Sequence, residues 1–362
     1  MLTDLPNRVA RCVSGKTVLI TGGAGSIGSA LAARLARHDL KALRLLDHDE
    51  EAAFYLNLAY RGNDRVRVLL GDVRDRNRMV RALQGVDVVI HAAALKHVEM
   101  GEYNPFEVVN TNLTALQSLI EIALDLDVER FVFTSSDKAV NPTNVMGGSK
   151  FIGERLVTAA MGYRGPRHSV FCCTRFGNVF GSAGSVVPVF ERQIAAGGPL
   201  TVTEPEMTRF FMTLDEAVDL VLAALVTSLG GEIFVPKMHA VRLQDLAEVM
   251  AELYSPARPV PVERVGLRPG EKFYEELITD HELTRCLETE RLLIVLPYLE
   301  GWKLHTDSEA HKPGPDDYPD GPRWARQPLS SRTATPLSRP AVRRLLEQHR
   351  AAPPSANAGG RA

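Results

Sequence analysis

A glycine-rich turn near the start of the chain constrains the fold more than any other feature. Thr17-Val18-Leu19-Ile20 is an apolar run that reads as a buried strand, and Thr21-Gly22-Gly23-Ala24-Gly25-Ser26-Ile27-Gly28 follows without a break. A helical pattern, Ala30 to Arg37, comes next. Glycines at this spacing allow a tight turn, let a pyrophosphate approach the backbone and let the helix pack close to the strand. The helix N-terminus adds free amides and positive potential. A glycine triplet alone is a weak signal. Here the strand before it, the helix after it and an acid closing the second strand agree.

That second strand is Ala42 to Leu46, and the acid is Asp47. Arg65 to Leu70, running into Gly71-Asp72, reads as a third strand, Val88 to His91 as a fourth and Phe131 to Phe133 as a fifth. Short β-branched and leucine runs separated by helical patterns predict an α/β fold: a Rossmann-type, doubly wound parallel sheet with right-handed crossovers. A carboxylate at Asp47 accepts both ribose hydroxyls and repels a 2′-phosphate, which favours NAD over NADP. Asp72, after the third strand, is placed to meet an adenine.

The second half is less regular. Val186 to Ala196, Leu214 to Leu229 and Leu243 to Tyr254 read as helices, and Glu232 to Val235 as a strand returning to the sheet. The expected organisation is an N-terminal extension (1–14), a dinucleotide-binding domain (15–180), a smaller substrate-binding lobe (181–305) and a Pro/Arg-rich tail (306–362). Within the tail, Pro340 to Gln348 is expected to form a short helix and Ala351 to Ala362 to lack fixed structure. A chain of 362 residues suffices for two lobes around a full core. The net charge of −2 argues against a general nucleic-acid binder. No apolar run of about 18 residues predicts a membrane span, and Met1 to Gly15 lacks the apolar centre of a signal peptide. Cys12, Cys172, Cys173 and Cys286 show no metal-ligand spacing, so no metal and a reduced, cytoplasmic setting are expected.

The fifth strand runs into Ser135-Ser136-Asp137-Lys138, with Met146 and Lys150 beyond. Ligands of open α/β sheets bind outside the carboxyl ends of the strands. An acid beside an amine at such a place is equipment for moving protons. Met146 and Lys150 share one helix face by their spacing.

These residues resemble the extended short-chain dehydrogenase/reductase family, and most nearly its nucleotide-sugar 4,6-dehydratase branch acting on UDP-N-acetylglucosamine. The resemblance rests on Thr21 to Gly28, Gly71-Asp72-Val73, His91 to Val98, Ser136 to Gly147, Arg175 to Val179 with Gly181-Ser182, Thr208-Arg209-Phe210 and Arg268-Pro269-Gly270-Glu271-Lys272. It covers about residues 15 to 300, with a weaker match in the tail. The family usually carries Tyr-x-x-x-Lys; here the tyrosine position is Met146 and the lysine, Lys150, is kept.

The resemblance implies a cofactor, a substrate and a set of roles. NAD would be held by Gly22, Gly25, Ser26, Ile27, Gly28, Asp47, Asp72, Val73, Ala92, Ala93, Ala94, Lys96, Asn112, Lys150 and Val179. A UDP-sugar would be met by Lys96, His97, Asn178, Arg209, Arg268 and Glu271. Lys138 would be the base at C5 and Asp137 the acid at the departing 6-hydroxyl. Ser136 would bond the 4-oxygen, Lys150 the nicotinamide ribose, and Met146 would shape the pocket. Oxidation at C4 must come first, because the C5 hydrogen becomes acidic only beside a ketone. Proton transfer at working pH asks for a lowered lysine and a raised aspartate, so burial must outweigh their mutual attraction. The group that takes the 4-hydroxyl proton stays open. A related epimerase passes through the same ketone without needing an Asp-Lys pair, and a non-catalytic dinucleotide sensor is the alternative of another class. A homo-oligomer is expected.

Overall fold

A computed structural model describes residues 4–298 and 313–351. The expectation for the segment after Ala351 lies outside them. Strands β1 (Thr17–Thr21), β2 (Ala42–Asp47), β3 (Val66–Leu70), β4 (Val88–His91), β5 (Arg130–Ser136) and β6 (Val170–Phe176) are all parallel, in the spatial order β3-β2-β1-β4-β5-β6. The order reverses between β1 and β4, so a crevice opens there at the carboxyl ends of both strands. The apolar runs explain the placement: all five residues of β1 and all four of β4 are buried, as strands covered on both faces must be.

The sheet continues past the parallel core. Ile233–Pro236 pairs parallel with β6, then Leu292–Val295, Cys286–Glu288 and Arg323–Trp324 add antiparallel strands at that edge, giving ten strands in all among the described residues. Cys172 and Cys173 are buried on β6, as packed core residues.

The helices are α1 (Leu5–Val13), α2 (Ser26–Leu35), α3 (Glu50–Ala59), α4 (Arg76–Leu83), α5 (Val98–Tyr103), α6 (Pro105–Val109), α7 (Ala115–Asp125) and α8 (Val145–Tyr163), with a π-helical turn at Asn110–Thr114 before α7. Helix α2 begins at Ser26, four residues earlier than the apolar pattern suggests, because Gly25 caps it in an extended conformation and the glycine turn itself opens the helix. Helices Leu214–Thr227 and Leu243–Tyr254 match their expected positions within two residues. No helix of the described residues is long and apolar enough to cross a membrane.

A second, smaller core lies beyond β6. It packs Phe190 of Val186–Ala195, Phe211 of Thr208–Met212 and Leu246 of Leu243–Tyr254 around a short mixed sheet. The tail is not an appendage to this body. Arg323–Trp324 closes the edge of the large sheet, while helix Arg339–Ala351 buries Val342 and Leu346 in the smaller core. Residues 313–351 therefore pack against both cores, and the boundary expected at 305/306 lies outside the described residues.

One buried ionic network ties α8 to its surroundings. Arg175 on β6 donates to Glu154 of α8 at 2.9 and 2.6 Å and to Glu282 at 2.9 and 2.8 Å. The paired carboxylates outweigh burial and hold the guanidinium well above its ordinary value. In the same network, Arg175 overrides the burial of Glu282 and lowers its carboxyl to about 2.

Candidate active site

The glycine turn sits in the crevice where the strand order reverses. Gly22 has φ +67, and a Cβ there would lie 2.8 Å from the Ala93 nitrogen, so β1 and the β4 loop approach within backbone contact. A Cβ at Gly28 would collide with the Gly22 carbonyl oxygen. Asp47, nine-tenths buried, turns its carboxylate into the turn and accepts from the Ala24 amide at 2.9 Å and the Asp49 amide at 3.2 Å. Asp72 is held by Arg74, which donates to both carboxylate oxygens and lowers the carboxyl below its ordinary value. Its partner is therefore a neighbouring side chain on the rim of the crevice.

The far wall of the crevice is built by Asn112. Its amide accepts from the Leu95 nitrogen at 2.9 Å, donates to the Leu95 oxygen at 2.9 Å and donates to Ser149 Oγ at 2.9 Å. One fully buried side chain thus fixes the β4 loop, which carries Ala92, Ala93 and Ala94, against the first turns of α8. The next residue, Lys150, is buried and donates from Nζ to the Thr134 oxygen at 2.8 Å, over the ring of Phe133. Burial lowers its ammonium to about 8. His91 lies beneath, bonded to Thr21 at 2.7 Å; burial, helped by Lys150, lowers its imidazole to about 3 and keeps it neutral.

A loop of the smaller lobe crosses the mouth of the crevice. The Ala183 amide donates to Ser26 Oγ at 3.1 Å, and Lys96 Nζ donates to the Ala183 oxygen. Gly184 has φ +71, and His97 lies where a Cβ on it would sit. Lys96, His97 and Ser26 are therefore brought together around residues 183–184, while Val73 and Val179 are buried against the main core.

Beside this crevice, β5 ends in a one-turn 3-10 helix, Asp137–Ala139. Asp137 is fully buried; its Oδ1 accepts from Ser136 Oγ at 2.8 Å and from Lys138 Nζ at 2.9 Å. Its Oδ2 is buried without a hydrogen-bond partner, and a Cβ at Gly177 would lie only 2.9 Å from it. Glycine at 177 thus leaves that oxygen room. Burial presses on the Lys138 ammonium, yet the charges of Asp137 and Glu275 prevail and raise it above the ordinary lysine value. The sequence chemistry asks for the opposite direction. The correction has a plain cause: the two side chains point at one another and form an ion pair rather than turning apart. Ser136 is also committed, since its hydroxyl donates to Asp137 while its oxygen accepts from the Lys138 amide at 3.3 Å. Met146 is buried at the start of α8, where its chemistry is packing alone.

The smaller lobe clasps this loop from the other side. The Gly270 oxygen accepts from Thr143 at 3.0 Å and Asn144 at 2.9 Å, and Lys272 Nζ donates to the Val140 oxygen at 2.6 Å. That contact carries Arg268 and Glu271 to the edge of the site, Arg268 lying 3.8 Å from Glu99. Asn178 stands on a two-residue strand paired with Thr208–Met212. Arg209, on that same strand, is buried, and its Nε lies 3.8 Å from Glu275. Glu275 is absent from the residues singled out by sequence. It lies three positions after Lys272, and only the fold of the clasp brings it to Lys138, 4.0 Å away.

A Rossmann sheet with a dinucleotide crevice, an α8 lysine and a second lobe closing over them defines a protein of the extended short-chain dehydrogenase/reductase class. Within it, residues 18–297 match the model of a family described as polysaccharide biosynthesis protein, and the chain belongs to that family. An uncharacterized membrane protein of Methanocaldococcus jannaschii is 48% identical over 288 residues, 78% of this chain and 86% of its own. A UDP-glucose 4-epimerase of Rickettsia massiliae is 39% identical over 275 residues, 75% of this chain and 80% of its own. The capsular polysaccharide biosynthesis protein CapD of Staphylococcus aureus is 40% identical over 283 residues, which are 76% of this chain and 47% of CapD, so this chain matches about half of that relative. The X-ray structure of Pen from Bacillus thuringiensis superposes with a TM-score of 0.84 at 36% identity, over 92% of this chain and 98% of Pen.

Proposed function

We propose that this protein is an NAD-dependent nucleotide-sugar 4,6-dehydratase that acts on UDP-N-acetylglucosamine and releases a UDP-4-keto-6-deoxy sugar. The observation that carries it is the ion pair of buried Asp137 with half-buried Lys138 at the carboxyl end of β5, beside the crevice. Support for the cofactor comes from the close glycine turn and from Asp47, whose carboxylate stands where a ribose diol would be read; NAD bound there supplies reversible hydride acceptance from the sugar. Solved structures of similar fold, a dTDP-glucose 4,6-dehydratase from Streptomyces venezuelae among them, are described as having NAD bound.

The chain's own groups handle the protons. Lys138 and Asp137 share one proton across their 2.9 Å bond. With that proton on Asp137, the neutral amine of Lys138 takes the C5 proton and the Asp137 acid gives its proton to the leaving 6-hydroxyl, so water departs. The pair ends as ammonium and carboxylate, which suits the 2.9 Å ion-pair contact. Lys150 presents positive charge to the ribose, and Arg209 and Arg268 offer guanidinium groups to the diphosphate. Met146 moves no proton.

Relatives described as UDP-glucose 4-epimerases favour a second reading, interconversion at C4. Incubation with UDP-N-acetylglucosamine in heavy water separates the two. Dehydration gives a 4-keto product with a methyl group at C6 and deuterium from solvent; epimerisation gives an isomer that keeps its 6-hydroxyl and takes up no deuterium. A sugar nucleotide isomer with no keto product overturns the dehydratase reading.

A further inference from the structure

The catalytic pair is not electrically alone. Lys138 Nζ lies 2.9 Å from Asp137 and 4.0 Å from Glu275. Glu275 is itself buried, its Oε2 has no hydrogen-bond partner, and its neighbours are Lys138, Arg209 at 3.8 Å and Lys272 at 3.8 Å. Its backbone is seated from the tail: the Glu275 amide donates to Ser331 Oγ at 2.9 Å, and the Ser331 amide donates back to the Glu275 oxygen at 2.8 Å. A carboxylate brought into a buried site, with one oxygen unbonded, is not there for hydrogen-bond satisfaction. What it supplies is charge.

We propose that Glu275 is a positioning residue whose negative charge stabilises the ammonium of Lys138 each time the Asp137 carboxyl is occupied with the departing hydroxyl. Glu275 neither gives nor takes a proton in this scheme. Before elimination one proton passes from Lys138 Nζ to Asp137, leaving amine and acid. During elimination the amine bonds to the C5 proton while Asp137 releases its own to the leaving oxygen. Positive charge therefore develops on Lys138 when Asp137 faces the sugar, and Glu275 is the carboxylate left to meet it. A stronger base results, which suits a weakly acidic carbon. Burial and Asp137 raise the Glu275 carboxyl, and Lys138, Arg209 and Lys272, the cations facing it, oppose that shift.

The base role of Lys138 rests on the dehydratase reading; the charge coupling does not. The test uses the full chain with NAD added. Lys138 is labelled with acetic anhydride across pH 7 to 11 (about the range in which a lysine amine titrates), and the labelled peptide is quantified by mass spectrometry. In Glu275→Gln, which keeps the shape, the midpoint of labelling moves down by about one pH unit or more, and labelling at a fixed pH below it rises about tenfold. Both limbs of the pH–rate profile of dehydration move down with it. Glu275→Asp keeps the charge and shows a smaller shift, and serves alone if the glutamine variant does not fold. An unchanged midpoint in Glu275→Gln overturns the proposal, and so does a downward shift of a full pH unit in Glu275→Asp, which keeps the charge. Absence of turnover in the unmodified protein overturns the dehydratase reading and leaves the labelling result standing.

Discussion

The side-chain amide of Asn112 donates to the hydroxyl of Ser149 over 2.9 Å, joining the π-helical turn to α8 one residue before Lys150. The same side chain clamps both backbone groups of Leu95. Asn112→Ala removes the partner of both Leu95 backbone groups and one donor to Ser149 Oγ, which keeps its bond to the Met146 oxygen, and is expected to destabilise the fold by about 1–3 kcal/mol. Because the clamp positions both the β4 loop and Lys150, the loss appears in turnover as well as in thermal unfolding. A variant with wild-type melting and full turnover would show that the clamp holds nothing of consequence.

Asp47 is expected to set cofactor choice. Its carboxylate closes β2 and faces the glycine turn, so a 2′-phosphate entering there meets a buried negative charge. Asp47→Ala removes that repulsion along with the acceptor for the ribose. Titration of NAD and NADP is predicted to show NAD affinity falling and the preference for NAD narrowing by roughly tenfold or more. Retention of the full preference would assign discrimination to another group.

How much of this was legible beforehand follows the range of each interaction. The glycine turn, Asp47 and the parallel strands are local: a short apolar run and the residue that ends it fix burial and position together, and the sheet order confirms the pattern. Asp137 and Lys138 adjoin in sequence, so their proximity was readable, but the direction of the Lys138 shift was not. That direction depends on Glu275, 137 positions away, and on burial supplied by the clasp around Gly270. In the tail the helix was readable, Pro340 to Gln348 against the observed Arg339–Ala351, but its seat was not. That Val342 and Leu346, four apart, fill the smaller core and that Ser331 bonds Glu275 depends on surfaces built by residues distant in sequence.

On the dehydratase reading, Lys138→Ala is expected to abolish dehydration while NAD stays bound, since the lysine pairs with Asp137 and Glu275 and not with the glycine turn. Asp137→Asn keeps the shape but carries no exchangeable acid, and should stop water loss after C4 oxidation. Rapid-mixing absorbance at the reduced-nicotinamide band tests the second variant: reduction without keto-deoxy product is the expected outcome. Near-normal product from either variant would remove its residue from the proton relay.

Lys150 makes a prediction about pH. Burial places its ammonium at about 8 in the folded protein, against 10.5 for a free lysine. The unfolded chain therefore binds more protons than the folded one between those values, and this group's contribution to stability rises with pH across that window. On the proposed placement of NAD, with Lys150 toward its ribose, the site loses a positive charge over the same range. Cofactor affinity measured from pH 7 to 10 should weaken above about 8 in the wild type and stay flatter in Lys150→Met. Parallel curves for the two proteins would mean that Lys150 titrates outside the window or contributes nothing to cofactor affinity.

The network around Arg175 predicts how α8 responds to acid. Glu282 is held at about 2 by Arg175, below its ordinary 4.5, so its stabilising contribution is complete above the ordinary value and is lost as pH falls from there through the folded one. Glu282→Gln removes that ion pair and leaves a buried guanidinium with Glu154 as its one carboxylate beside the Leu277 oxygen, which costs about 3–5 kcal/mol near neutral pH. The gap in melting temperature between wild type and variant should be widest at pH 6 to 7 and narrow steadily toward about pH 3. Arg175→Met separates charge from packing: it removes the cation that both glutamates share, leaving Glu282 with Thr279 and with Arg155 at 3.7 Å, and is expected to be the more damaging change because two buried carboxylates lose their shared cation at once. A gap between wild type and Glu282→Gln that stays constant down to acid pH would mean that the carboxyl of Glu282 is neutral in the folded protein and that hydrogen bonding, not charge, fastens α8 to β6.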